Sequence, residues 1–220
     1  MIESSEGRIL IMTSVEAERD AVLRGVGDNE RVDVLLAGVG PVSAAIQTTK
    51  ALQKETYSLV ICAGIAGGFT EKAEIGTIAV ATEIVSADLG AESPDGFIPL
   101  DDLGFGSSTR IVPEEHLVSA LSSAIEAAGN ITTIRGPVLT LSTVTGTAET
   151  TAALTQREPE AIAEAMEGYG VASAALEFGV PVLELRAISN PIGPRDRSAW
   201  RIKDALAALE SASQVITEVF

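Results

Sequence analysis

Cysteine and histidine, the residues that most often supply metal ligands and nucleophiles, are almost absent from this sequence. The 220 residues include one cysteine, Cys62, and one histidine, His116. A single cysteine excludes an internal disulfide and is typical of a protein of the reducing cytosol. A lone histidine in a helical segment leaves no material for a zinc site or a Ser-His-Asp triad. We therefore expect no metal and no cofactor, and we interpret Cys62, in an apolar segment, as a buried structural thiol.

Long apolar runs and basic residues are also scarce. The longest apolar runs, such as 59–65, are far too short to span a bilayer, although 46% of the residues are hydrophobic. Fifteen basic residues against 31 acidic ones give a net charge of −16, so the surface repels nucleic-acid phosphates. The N-terminal segment carries Glu3 and Glu6 and lacks the basic patch of a signal peptide. We expect a cytoplasmic protein that binds a small molecule, and neither nucleic acid nor a membrane.

What the sequence does contain is a regular alternation of short aliphatic segments and helical ones. The predicted strands are 8–12, 32–37, 59–63, 75–84, 134–141, 163–166 and 182–188. The predicted helices are 16–26, 43–54, 113–129, 147–156, 169–178 and a C-terminal helix with Ile202, Leu206, Leu209, Ile216 and Phe220 on one face. Ser14 is the predicted N-cap of the first helix, and the Gly-, Pro- and Asp-rich segment 86–106 is predicted to be a loop. Such alternation favours an α/β fold with a mostly parallel central sheet and helices on both faces, in a single domain covering 1–220.

Unusual residues follow four of the predicted strands. Ligands of open α/β sheets bind beyond the carboxyl ends of the strands. Glu18 follows the first strand, a glycine-rich segment at 64–68 follows the third, and Met166-Glu167 and the segment 186–190 follow two later ones. These four segments are therefore the candidate site.

Three of these segments together resemble a known family. Ala63-Gly64-Ile65-Ala66-Gly67-Gly68, Met166-Glu167 and Arg186-Ala187-Ile188-Ser189-Asn190 resemble the purine nucleoside phosphorylase and nucleosidase superfamily, in an order that matches nearly the whole chain. Within it, the hydrolase branch of methylthioadenosine/S-adenosylhomocysteine nucleosidases is the most similar. The resemblance implies a single-domain three-layer sandwich and hydrolysis of the N-glycosidic bond of a purine nucleoside. Members of the superfamily assemble as dimers or larger rings, which implies a homo-oligomer.

Other segments narrow the resemblance further. Residues 87–92, 96–100 and 193–197 look like those of the futalosine hydrolases, which release hypoxanthine from a nucleoside intermediate of menaquinone biosynthesis. Futalosine carries a benzoate, and Arg195, Arg197 and Arg201 are candidate partners for its carboxylate or, equally, ordinary surface charges. The resemblance thus implies a 6-oxopurine nucleoside as the substrate.

The resemblance also assigns roles to the candidate residues. Glu167 would accept hydrogen bonds from the 2′- and 3′-hydroxyls of the ribose, with Met166 packed against the sugar. Glu18 would act as the general base that deprotonates the attacking water, and Arg186 would help to orient both. The remaining substrate-binding residues that the motif implies are Ile65, Ala66 and Gly67.

Asn190 departs from the adenine-releasing relatives, which carry an aspartate here. The 6-amino group of adenine donates hydrogen bonds and suits a carboxylate, whereas the 6-carbonyl group of hypoxanthine accepts them and needs a donor. An asparagine amide supplies both a donor and an acceptor. Asn190 therefore favours a 6-oxopurine, and it leaves open how N7 of the leaving base is protonated, because an amide is a poor acid.

Several other functions remain as alternatives. A phosphorylase would need a cation near the sugar, but the segment 14–18 carries two carboxylates instead, which favours water as the nucleophile. A methylthioadenosine nucleosidase and a non-catalytic nucleoside-binding protein are also possible, although the latter would be expected to lack Glu18, Glu167 or Arg186. Gly38-Val39-Gly40-Pro41-Val42-Ser43 only partly matches a dinucleotide-binding motif, because it lacks the third glycine.

Overall fold

The structure, a computed structural model, describes residues 7–106, 108–129 and 131–220. Glu3 and Glu6, which entered the sequence argument, lie outside the described residues. The strands are β1 (Arg8–Thr13), β2 (Val32–Leu36), β3 (Tyr57–Gly68), β4 (Ile78–Ser86), β5 (Gly90–Ser93), β6 (Gly96–Pro99), β7 (Arg110–Ile111), β8 (Thr133–Thr140), β9 (Ala163–Ala165) and β10 (Val182–Pro191). The helices are α1 (Glu16–Val26), α2 (Pro41–Leu52), α3 (Glu115–Ala127), α4 (Ala148–Arg157), α5 (Gly168–Glu177), α6 (Ile202–Gln214) and α7 (Ile216–Val219).

One large sheet forms the centre of the molecule. Its strands follow the order β10-β4-β8-β9-β3-β1-β2, and β7 pairs with β4. Five of its pairings are parallel and three are antiparallel, so the predicted mostly parallel sheet is confirmed. Because β10 also pairs with β3, the strands from β10 to β3 close into a ring from which β1 and β2 extend.

Helices cover both faces of this sheet, as the alternation of strands and helices predicts. The side chains of β1 alternate between the two faces: Leu10 and Met12 pack towards α2 and α5, whereas Ile9 and Ile11 pack towards α1, α3 and α6. All four are almost completely buried. Burying an aliphatic side chain stabilises the folded state by about 1.5–3 kcal/mol. The packing of β1 against the helices on both faces therefore fixes its position in the sheet.

Predicted element bounds agree for one helix, whereas two strands of the site extend further than predicted. Helix α1 begins and ends where it was predicted. Strands β3 and β10 are longer than predicted, because the glycine-rich segment 64–68 and the segment 189–191 continue the two strands and pair with each other. The candidate site therefore lies on paired strands, and only partly on loops.

Three local predictions were wrong. Segment 86–106 contains the hairpin β5–β6, whose Ser93-Pro94-Asp95-Gly96 turn has the residues that favour a tight turn, and Gly96 has a φ of +122°. The N-cap of α1 is Val15, one residue after Ser14, because the Glu18 carboxylate satisfies the free N–H groups at this end. The C-terminal helix is divided into α6 and α7, and Ile202 is exposed.

Across the described ranges, no helix has the length and apolar character needed to cross a membrane.

Candidate active site

The predicted site residues meet at one cavity beyond the carboxyl ends of β1, β3, β9 and β10. Its volume is about 220 Å³. Of the eight residues predicted from the sequence, seven line it: Glu18, Ile65, Ala66, Gly67, Met166, Glu167 and Asn190. Arg186, the eighth, is buried beneath them and is 1% exposed. Segments that lie far apart in sequence are thus brought together.

Backbone groups hold the carboxylate of Glu18 in place. Its Oε2 accepts hydrogen bonds from the N–H groups of Ser14 (2.9 Å) and Val15 (3.2 Å), and its Oε1 accepts one from Ile65 (2.9 Å). These are free N–H groups at the start of α1 and in β3, and the helix dipole favours a negative charge there. Glu18 is 3% exposed and is directed into the cavity as an acceptor of further hydrogen bonds.

Glycine at position 64 allows two charged groups to approach β3. A Cβ atom on Gly64 would lie 2.7 Å from Oε1 of Glu18 and 2.7 Å from Nη1 of Arg186. Such contacts are far shorter than van der Waals distance, so a larger residue would displace both groups. Arg186 thus faces Glu18 across Gly64, while backbone N–H groups make the hydrogen bonds that fix Glu18.

Arg186 binds two other carboxylates directly. Its Nε donates to Oε1 of Glu184 at 2.8 Å, and its Nη2 lies 3.3 Å from Oε2 of Glu167. Nη2 also donates to Sγ of Cys62 at 3.1 Å. This thiol is buried, as predicted from the sequence. Burial raises the pKa of Glu184, an effect that Arg186 only partly offsets, and burial also raises the pKa of Cys62. Arg186 is therefore the positive centre of a buried ionic cluster under the cavity floor.

Glu167 connects that cluster to the cavity. It precedes α5, lines the cavity and is 4% exposed. Its Oε1 accepts a hydrogen bond of 3.2 Å from the N–H of Gly40, and its Oε2 faces Arg186. The Gly38–Ser43 segment, which resembled part of a dinucleotide motif, therefore supports a carboxylate through Gly40, and Val39 lines the cavity.

Asn190 lies at another part of the same wall, in β10. Its Oδ1 accepts a hydrogen bond from Oγ of Ser189 (2.8 Å), and its Nδ2 donates to the carbonyl oxygen of Pro191 (3.0 Å). An amide nitrogen carries two hydrogens, so one remains for a ligand. The side chain can thus donate to an acceptor in the cavity.

Glu164 is a cavity residue that the sequence reasoning missed. It lies in β9, three residues before Glu167, and is 5% exposed. Its two carboxylate oxygens accept hydrogen bonds from the N–H (3.0 Å) and the hydroxyl group of Thr145. Burial raises its pKa, although the Thr145 hydrogen bonds act in the opposite direction. Its position within the predicted strand 163–166, flanked by two alanines, was the only signal in the sequence.

Trp200, the only tryptophan of the chain, was also missed. Its ring lines the cavity, and the Arg195 guanidinium lies 5.2 Å from the ring centroid. Of the three arginines predicted as partners for a carboxylate, Arg195 has its guanidinium against the Trp200 ring, and the backbone N–H of Arg201 donates to the carbonyl oxygen of Ser189, another residue of the cavity.

The charge of the lining is uniformly negative. Among the described residues that line the cavity, the charged ones are Glu18, Glu164 and Glu167. Within the described ranges there is also no group of three or more His, Cys, Asp or Glu side chains arranged to hold a metal ion. The arrangement can bind a polar molecule and accept hydrogen bonds or protons from it.

Comparison with known proteins identifies the family and the fold. The model of the phosphorylase superfamily matches residues 13–220. A futalosine hydrolase of Streptomyces coelicolor is 49% identical, with 93% of this chain and 92% of that protein covered, and one of Acidothermus cellulolyticus is 47% identical, with 92% and 87% covered. A solved structure of 5′-methylthioadenosine/S-adenosylhomocysteine nucleosidase from Helicobacter pylori has the same fold, with a TM-score of 0.82 and 21% identity over 97% of this chain and 98% of that one. The chain belongs to the phosphorylase superfamily.

Proposed function

We propose that this protein hydrolyses the N-glycosidic bond of a 6-oxopurine nucleoside, and that the nucleoside is futalosine, which would yield hypoxanthine and dehypoxanthine futalosine in menaquinone biosynthesis. The observation that carries the proposal is the single cavity shared by Glu18, Glu167 and Asn190. The similarity to two futalosine hydrolases over most of the chain supports the choice of substrate.

Glu18 is the general base of this proposal. Three N–H groups fix its carboxylate at the cavity wall, and its remaining lone pairs can accept the proton of a water molecule. General-base catalysis of this kind contributes about 10²–10⁴-fold to the rate. Arg186, across Gly64, places a positive charge beside the Glu18 carboxylate.

Glu167 and Met166 hold the sugar. The ribosyl group gains oxocarbenium character as the base leaves, and a carboxylate that accepts hydrogen bonds from its hydroxyls stabilises that charge. Gly40 and Arg186 orient Glu167 for this contact. Ile65, Ala66 and Gly67 line the part of the cavity assigned to the purine, and Asn190 donates to its 6-carbonyl group.

Water is the proposed nucleophile because the cavity lining, over the described part of the chain, offers no positively charged side chain to a phosphate. The charged residues among the described lining residues are three glutamates, and a phosphate dianion beside them would be strongly repelled. A purine nucleoside phosphorylase, one of the alternatives, would be expected to place an arginine at this point.

The proposal is tested by incubating the protein with futalosine, inosine, methylthioadenosine and adenosine, with and without phosphate, and identifying the freed base. Hypoxanthine released without phosphate is the expected result. Absolute dependence on phosphate would identify a phosphorylase, and release of adenine alone would identify a methylthioadenosine/S-adenosylhomocysteine nucleosidase. Binding of nucleosides without any turnover would identify a binding protein.

Two further properties belong to this proposal, a cytoplasmic location and assembly as a homo-oligomer. The buried, unpaired Cys62 supports a reducing compartment. Val39, Val42 and Ile46 support an interface, because these neighbouring apolar side chains at α2 are 58%, 71% and 49% exposed. Analytical ultracentrifugation of the protein and of a Val42→Glu variant tests the assembly, since the variant should dissociate.

A further inference from the structure

Glu164, Gly67 and Asn190 form one row across three neighbouring strands. Gly67 of β3 pairs with Glu164 of β9 on one side and with Asn190 of β10 on the other. A Cβ atom on Gly67 would lie 3.4 Å from Cγ of Glu164 and 3.4 Å from Nδ2 of Asn190. The nearest atom to that Cβ would be Cγ2 of Ile192, at 2.9 Å, so the two polar side chains flank the same glycine at the cavity wall and Ile192 closes the space beside it.

Glu164 has hydrogen-bonding capacity that Thr145 does not use. A carboxylate offers about four acceptor sites, and Thr145 occupies one on each oxygen. Glu164 is buried, lines the cavity and is hydrogen-bonded as an acceptor. An N–H group of a ligand can donate to one of the acceptor sites that remain. Burial raises the pKa of Glu164, and a donated hydrogen bond would offset that cost.

The edge of a 6-oxopurine presents the complementary pattern. Its 6-carbonyl group accepts a hydrogen bond, and the neighbouring N1 carries a hydrogen that it can donate. In a 6-aminopurine both are reversed, since the amino group donates and N1 accepts. The amide of Asn190 on one side of Gly67 and the carboxylate of Glu164 on the other thus match the 6-oxo edge as donor and acceptor. A 6-aminopurine in the same position would place its N1 lone pair against a carboxylate oxygen.

We propose that Glu164 is a specificity-determining residue that accepts the N1–H hydrogen bond of the purine, so that the row Glu164–Gly67–Asn190 selects 6-oxopurines. The inference rests on the proposed function, because it assigns the base to this wall of the cavity. Glu164 is then a second determinant of base specificity, in addition to Asn190.

The test compares wild type with Glu164→Gln, which keeps the size of the side chain but can place an N–H group where an acceptor is needed. Calorimetry with free hypoxanthine and free adenine measures the contact without turnover. We expect the variant to weaken hypoxanthine binding about 10- to 100-fold, the range for a hydrogen bond to a charged acceptor, and not to weaken adenine binding. The ratio of kcat/KM for inosine to that for adenosine should fall in the same direction.

Two further variants distinguish recognition of the purine by Glu164 from a role of Glu164 in supporting the loop that contains Thr145. Glu160→Gln changes an exposed glutamate of the same segment and should leave both affinities unchanged. Thr145→Val removes the hydroxyl donor to Glu164 but not its acceptor sites, so it should affect both bases alike. Equal weakening of the two bases by Glu164→Gln, or the same change of ratio in Thr145→Val, would overturn the inference.

The outcome also separates this inference from the proposed function. If wild type releases hypoxanthine from nucleosides but Glu164→Gln leaves the base preference unchanged, the specificity role is wrong and the hydrolase proposal stands. If hypoxanthine binds in a Glu164-dependent manner but no nucleoside is cleaved, the hydrolase proposal is wrong and the specificity role stands. If neither base binds to wild type, both are wrong.

Discussion

The carboxylate of Glu18, in the first turn of α1, accepts a hydrogen bond of 2.9 Å from the backbone N–H of Ile65, which lies 47 residues further along the chain in β3. Its second oxygen is held by the N–H groups of Ser14 and Val15. Because all three donors belong to the backbone, no rotation of a neighbouring side chain can release the carboxylate. The position of the proposed base is therefore determined by how α1 docks on the sheet.

Replacement of Glu18 by glutamine should abolish turnover and leave nucleoside binding largely intact. The amide keeps the size of the side chain but cannot accept a proton from water, so kcat should fall about 10²–10⁴-fold. Steady-state kinetics and calorimetry with a nucleoside measure the two effects. The matched control is Glu16→Gln, an exposed glutamate in the same turn of α1. Loss of binding with residual kcat would show that Glu18 is not the base.

Asn190→Asp should shift the base preference towards 6-aminopurines. The oxygen that replaces Nδ2 can accept a hydrogen bond from an amino group, but it repels a 6-carbonyl oxygen. The ratio of kcat/KM for adenosine to that for inosine should rise about tenfold or more. Asn29→Asp, with the same change far from the cavity, serves as the control. An unchanged ratio would count against the assignment of Asn190 to the base.

Arg186→Leu should destabilise the folded protein by about 3–5 kcal/mol, because it leaves the buried Glu184 and Glu167 carboxylates without their counterion. Urea denaturation followed by circular dichroism measures the free energy of unfolding. The control is Arg24→Leu, since the ion pair of Arg24 with Glu210 is solvent-exposed and such pairs contribute about 0–1 kcal/mol. Equal losses in the two variants would argue against a buried ionic cluster beneath the cavity.

The stability of the protein should depend on pH through Glu164. Burial raises its pKa above the ordinary value of 4.5, so the folded state retains this proton at a pH where the unfolded chain has lost it. The contribution to stability is complete below pH 4.5 and is lost as the pH rises through the raised pKa. In that window the free energy of unfolding of wild type should fall relative to that of Glu164→Gln. Urea denaturation at a series of pH values tests this expectation.

Asp101→Asn is a control for that measurement, because the pKa of Asp101 is shifted in the opposite direction to that of Glu164. Hydrogen bonds from Thr109 lower the pKa of Asp101 below its ordinary value of 3.8. Its contribution is therefore present above pH 3.8 and is lost as the pH falls. A constant difference between wild type and Glu164→Gln over the whole range would contradict the assignment to Glu164.

The sequence predicted those parts of the candidate site that depend on local sequence patterns. The apolar periodicity and the following Gly27 give α1 its bounds, and the three family motifs contain seven of the fifteen described residues that line the cavity. Glu164 could not be predicted, because its relation to Asn190 depends on the register of β9 and β10 against Gly67. The same is true of the N–H groups that hold Glu18. Strand register and helix docking arise from tertiary packing, which periodicity does not encode.

Each of the three cavity glutamates is tied to a backbone N–H group from a distant part of the chain: Glu18 to Ile65, Glu164 to Thr145 and Glu167 to Gly40. None of these ties can form until both partners have docked on the sheet. The acidic lining of the cavity is therefore a product of tertiary folding, because each of its three carboxylates is oriented by a segment that is separated from it along the chain.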